Sequence, residues 1–132
     1  EAFFQRWQLT KASILMLKAS PLYGIGLNNF LVKLPLYWSL TGFTFLLQPV
    51  HNIFLLIVTE TGLTGLVIFL WFLSLTFKNL LEIRNWQLGM ALLVILLLGV
   101  VDHYWLTLQQ SQLLLSLVLG LSWQKQIDYS KK

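Results

Sequence analysis

Residues 53–77, IFLLIVTETGLTGLVIFLWFLSLTF, decide the fold class. A run of about 25 residues carrying only the charge of Glu60 is long enough to cross a hydrocarbon layer of about 30 Å with some tilt. Outward from it, residues 86–101 and 105–123 give a second and a third apolar stretch. The composition agrees. The chain has 132 residues, 57% hydrophobic and 11% charged, with a mean hydropathy of +0.72. A soluble domain carries about 25% charged residues, and so few charges cannot cover a surface facing water. The expected fold is an all-α integral membrane protein. Residues 1–52 form an extracytoplasmic region with one interfacial helix at about 3–20. Three transmembrane helices follow at about 53–77, 86–101 and 105–123, then a cytoplasmic tail over 124–132. The sequence opens on Glu-Ala-Phe-Phe and reads as a fragment of a larger multi-span bundle.

Charge placement sets the expected orientation. Lys78 and Arg84 join the first two stretches, and Lys125, Lys131 and Lys132 follow the third. Both sides read as cytoplasmic by the positive-inside rule, which puts residues 1–52 and the Asp102-His103 corner together on the extracytoplasmic face. In residues 3–20, Lys11 and Lys18 share a helical face with Phe4, Trp7, Ile14 and Leu15, an arrangement that lets ammonium heads reach past an apolar bed. Arg6 falls on a separate stripe with Thr10 and Ser13. Residues 21–50 carry Pro21, Gly24, Gly26, Pro35, Gly42 and Pro49 among many aromatics, and read as an irregular loop at headgroup level. The net charge of +4 is spread singly, which excludes a phosphate-tracking nucleic-acid patch and leaves membrane lipids as the partner of these cations. The absence of cysteine excludes disulfides, zinc–thiolate centres and thiol nucleophiles. No cofactor and no metal-ligand spacing is read.

Few residues remain that can carry chemistry. His51 precedes the first long stretch, where free helix N–H groups favour an anion and disfavour a protonated imidazole. It reads either as a base or neutral donor, or as an interfacial residue beside an Asn52 cap. Arg6, on the same side, reads as a bidentate phosphate grip or as a headgroup contact. Glu60 faces protein rather than lipid, because a carboxylate at that depth is costly unless paired or wet. It contributes to a site or ties helices together. Gly62 and Gly65 read as a close approach for a neighbouring helix. Asp102 and His103 end the second stretch, and Asp102 has Arg6 or His51 as candidate partners. Gln109, Gln110 and Gln112 open the third stretch and are expected to face inward.

Taken in order, Arg6-Trp7, then Pro21-Leu22-Tyr23-Gly24-Ile25-Gly26 with Asn28-Asn29-Phe30, then Pro49-Val50-His51-Asn52, then Glu60-Thr61-Gly62-Leu63-Thr64-Gly65 form a series. This series resembles the O-antigen ligase and O-antigen polymerase superfamily of bacterial membrane glycosyltransferases, over about residues 6–66, and Asp102-His103 looks like a late hairpin of many members. The resemblance implies a multi-pass enzyme of the bacterial inner membrane with its active side extracytoplasmic. Such an enzyme moves a glycan from an undecaprenyl-diphosphate carrier to a lipid or glycan acceptor in envelope polysaccharide biosynthesis, without nucleotide sugar or metal. Arg6 would bind the diphosphate and His51 would lie at the reacting centre. Asn52, Glu60, Asp102 and His103 are the further candidate substrate-binding residues. The family's additional arginine belongs to a preceding part of the chain not included here, so activity is expected of the larger protein rather than of this stretch alone. The alternatives are a polymerase joining repeat units, or a non-catalytic glycan or lipid flippase component.

Overall fold

The computed structural model describes residues 2–38 and 48–124, and every regular element among them is helical. The order is α1 (Ala2–Ala19), α2 (Phe30–Tyr37), α3 (Ile53–Glu82), α4 (Trp86–Val101), α5 (Tyr104–Thr107) and α6 (Gln109–Ser122). Residues 39–47, with Gly42 of the expected loop, and 125–132, with the expected cytoplasmic tail lysines, lie outside the described residues. Among the described residues one helix, α3, is long and apolar enough to cross a membrane; α4 is apolar but shorter.

Two expectations about the elements need correction. The first is the irregular loop over 21–50, which contains α2. Pro35 lies within α2, yet Phe30 and Leu34 stand one turn apart on one face and are 1% and 0% exposed. Burying two large side chains outweighs the single backbone hydrogen bond that proline removes. The second is the stretch 105–123, which is divided at Leu108, where the backbone is extended. Gln112 bends back so that its Nε2 donates to the Leu106 carbonyl at 2.5 Å, taking up an acceptor that the break leaves open. Gln109 and Gln110 are exposed rather than turned inward.

The core has two parts strung along α3. Leu9, Ala12 and Met16 of α1 pack with Phe30, Leu34, Val50 and Leu56 at one end. Leu80 of α3 packs with Leu92 and Ile95 of α4 and with Leu115 and Val118 of α6 at the other. Leu106 touches both. The far end is tied by Asn79, which donates to the Ser122 carbonyl, and by Trp123, whose indole N–H donates to Thr76 Oγ1.

The feature that organises the molecule is an interruption of α3 at Gly62, which sits at φ 72°, ψ −173°. The segment after α1 docks into this break. Ile25 and Gly26 donate to the carbonyls of Thr59 and Glu60 at 3.0 and 2.9 Å, and Leu63 donates to the Pro21 carbonyl at 2.8 Å. The Thr64 hydroxyl donates to the Leu22 carbonyl at 2.7 Å. Groups that an unbroken helix would pair along its own axis are here paired across to the loop. The close approach at Gly62 is therefore to loop backbone, not to a neighbouring helix as expected. A Cβ on Gly62 would overlap the Leu22 carbonyl, and one on Gly24 would overlap that of Glu60.

Glu60 completes the docking. Its carboxylate accepts from the backbone N–H of Asn28 at 3.0 Å and of Phe30 at 3.1 Å. Asn29, the N-cap of α2, makes no side-chain cap of its own, so Glu60 caps that helix from a distance, with charge of the sign its N-terminus prefers. Of the two readings of Glu60, the structure carries the tie. Glu60→Ala is expected to lower stability by about 1.5–3 kcal/mol, the usual scale for hydrogen bonds to a charged group, and Glu60→Gln by less because one acceptor oxygen remains. Thermal unfolding of the detergent-solubilised protein checks the order.

The interruption also sets heights. At about 1.5 Å per residue a straight α3 would run about 45 Å, whereas α4 runs about 24 Å. A straight antiparallel pair would leave the start of α3 far above the end of α4. With the break at Gly62, the limb after it matches α4 more closely, and residues 53–61 turn across the end of the pair. There Gly99 lies against Ile53 with no room for a Cβ, and Asn52 Nδ2 donates to the Val100 carbonyl at 2.9 Å.

Candidate functional site

The site lies where this turned limb meets the end of α4. Arg6 continues the inward stripe of α1 that buries Leu9, Ser13 and Met16, one turn closer to the N-terminus, and is itself exposed. His51 follows Pro49 and the buried Val50, just before the N-cap Asn52. Asn52 is a structural clamp, accepting from the Leu55 N–H at 2.9 Å while donating to Val100. Asn52→Ala removes the cap and the inter-helix bond together and is expected to cost about 1–2 kcal/mol, read as a fall in the unfolding midpoint.

Asp102 ends α4 in extended backbone, and its Oδ1 accepts the N–H of His103 at 2.7 Å. That bond turns the chain so that His103 points inward, where it is 4% exposed. His103 and His51, which share no helical register, meet edge to face with ring centroids 5.0 Å apart. Tyr104 also meets His103 edge to face, with ring centroids 4.8 Å apart. One nitrogen from each imidazole and one Asp102 carboxylate oxygen lie within 4.8 Å of one another.

Burial is the main reason both imidazoles titrate below their ordinary value of 6.5. Arg6 lowers both further, His51 lowers His103, and Asp102 opposes the shift at each ring. Arg6 thus acts on the same cluster from α1, though it forms no ion pair with Asp102 within 4.0 Å among the described residues. Two nitrogens and a carboxylate at this spacing match the donor types of a divalent cation, but the Arg6 guanidinium opposes a cation there. Arg6 favours an anionic group beside the neutral imidazoles, and the Asp102 carboxylate opposes one on its own side.

Those shifts give a pH dependence of known sign. Unfolding restores a pKa near 6.5, so between the folded values and 6.5 the unfolded chain binds more protons. Stability should therefore fall as pH drops through that window and level off below it. Unfolding midpoints taken between about pH 7.5 and 5 test this, and the double variant His51→Gln/His103→Gln should flatten the slope.

A cleft of about 750 Å3 runs beside the cluster, lined by Leu56, Glu60, Phe69, Leu106, Thr107 and Gln112 among others. Thr107 joins it to the site through a 2.7 Å bond between its hydroxyl and His103 Nδ1. No protein-family model, curated protein or solved structure matches the chain.

The structure thus brings together His51, Asp102 and His103, with the Arg6 charge acting on both rings, and gives Asn52 and Glu60 supporting tasks. Thr107 was not legible in the sequence, since one threonine among several in apolar stretches carries no signal until its neighbour is known.

Proposed function

We propose that the chain carries part of the active centre of a membrane glycosyltransferase, moving a glycan from an undecaprenyl-diphosphate carrier to a lipid or glycan acceptor. The observation that supports this reading is the cluster of His51, His103 and Asp102, with the Arg6 charge acting on both of its imidazoles. Transfer from a diphosphate carrier needs a cation for the leaving group and a base within reach of the attacking hydroxyl. Arg6 supplies the first, with a fork suited to phosphate oxygens. His51 supplies the second.

In this reading α3, α4 and α6 are transmembrane, in a multi-pass protein of the bacterial inner membrane, with the site on the extracytoplasmic side. The exposed apolar residues Val67, Ile68 and Trp71 of α3, Leu93 and Leu97 of α4, and Leu113 and Leu117 of α6 face lipid or the remaining helices of the larger protein. Residues 53–61 lie near the interface, and the limb after Gly62 makes the crossing.

The test is made in the full-length protein. Arg6→Ala and His51→Ala should each abolish surface glycan while membrane abundance stays at the wild-type level. Surface glycan retained by both variants would sink the proposal.

A further inference from the structure

Two polar atoms in the site are unexplained by a single-base mechanism. His51 Nδ1 and His103 Nε2 are both buried, and neither has a hydrogen-bond partner among the described residues. They belong to the two rings that touch. Thr107 Oγ1 lies 2.7 Å from His103 Nδ1 and 3.2 Å from the His103 carbonyl. In the tautomer where the hydroxyl donates to that carbonyl and accepts from Nδ1–H, the unpartnered Nε2 carries a lone pair. A buried lone pair next to a second imidazole is placed to receive a proton.

We propose that His103 is the proton acceptor behind His51, so that the two histidines carry one transferable proton between them. The proposal rests on the transferase reading and extends it. The acceptor hydroxyl gives its proton to His51 Nε2, and its oxygen bonds the anomeric carbon. The bond from that carbon to the diphosphate oxygen breaks, and its electron pair leaves with the diphosphate beside Arg6. His51 passes its Nδ1 proton to His103 Nε2, the unpartnered nitrogen of the ring it touches. The positive charge then rests on His103, next to Asp102, with Nδ1–H still held by Thr107. The proton returns through His51 to the departing diphosphate. The charged or titratable groups facing His103 are Arg6 from α1, His51 before α3, Asp102 at the end of α4 and Tyr104 of α5. Asp102 is the one that favours the protonated ring.

The experiment measures rates against pH for the full-length protein in proteoliposomes, with an undecaprenyl-diphosphate-linked glycan and its acceptor. His103→Gln should lower kcat by roughly 10–100-fold with KM little changed. The acidic limb of kcat/KM should move to higher pH, because His51 loses a neighbour that competes for the same proton. Wild-type kcat and an unshifted limb in His103→Gln, with His51→Gln inactive, overturn the proton relay alone. Full activity in His51→Gln overturns the transferase reading beneath it. If His103→Gln fails to accumulate, Thr107→Val releases His103 Nδ1 with less disturbance. A fall in kcat with KM little changed supports the relay there, and a wild-type kcat overturns it.

Discussion

Gly62→Ala is expected to leave little folded protein in the membrane. The residue sits at φ 72°, ψ −173°, a region that is almost exclusively glycine's and costs other residues about 1–3 kcal/mol. The new methyl would also overlap the Leu22 carbonyl and the Tyr23 amide, which are backbone and cannot rotate aside. Relief requires either straightening α3 or expelling the loop. Straightening sacrifices the bonds from Ile25 and Gly26 to Thr59 and Glu60. It also carries His51 away from His103, because the unbroken helix overshoots α4. Gly89→Ala serves as a control of the same size change at ordinary helical backbone in α4, where nothing lies within 4 Å of the new methyl. Membrane abundance and resistance to limited proteolysis separate the two. Wild-type abundance and resistance in Gly62→Ala would show that the break is not required.

His51→Ala is expected to lower kcat by about 10²–10⁴-fold, the usual worth of a positioned general base, with membrane abundance unchanged. Truncation is tolerable to the fold because the ring is only partly buried and makes no hydrogen bond among the described residues. KM should change little, since in the proposed mechanism the ring acts on the reacting hydroxyl rather than on the carrier. Arg6 should behave differently. Arg6→Lys keeps the charge but loses the fork, so the expected outcome is intermediate transfer, with Arg6→Ala far lower. Equal activity of Arg6→Lys and Arg6→Ala would refute the diphosphate grip.

How far these predictions were legible in the sequence differs from residue to residue. Helical periodicity and low charge were enough for α1, α3 and α4, because those patterns are local. The dense turn residues of 21–37 misled for the same reason. Pro35 reads as a breaker until Phe30 and Leu34 are seen to be buried by elements distant in the chain. Glu60 had to face protein, but its partners are backbone groups some 30 positions away. A side-chain motif cannot announce those.

The site was half legible. Arg6 and His51 stand in the ordered motif series, whereas the contact of His51 with His103 depends on where α3 bends. Antiparallel α3 and α4 already place the start of one towards the end of the other. Only the unusual conformation at Gly62 brings the two ends level, and a glycine in an apolar helix gives no advance sign of which φ it adopts.

The cross-bonds at the break have a consequence for observation. The amide protons of Ile25, Gly26 and Leu63 are held by contacts between loop and helix rather than by a helical ladder. Their hydrogen-exchange rates therefore report undocking of the loop at the lowest opening that frees them, while amides deep in α4 report loss of the helix pair. If Arg6 and His51 are brought together by the same docking, a ligand spanning both should slow exchange at these three amides first. The glycine break is then a built-in gauge of occupancy, readable without a label at the site.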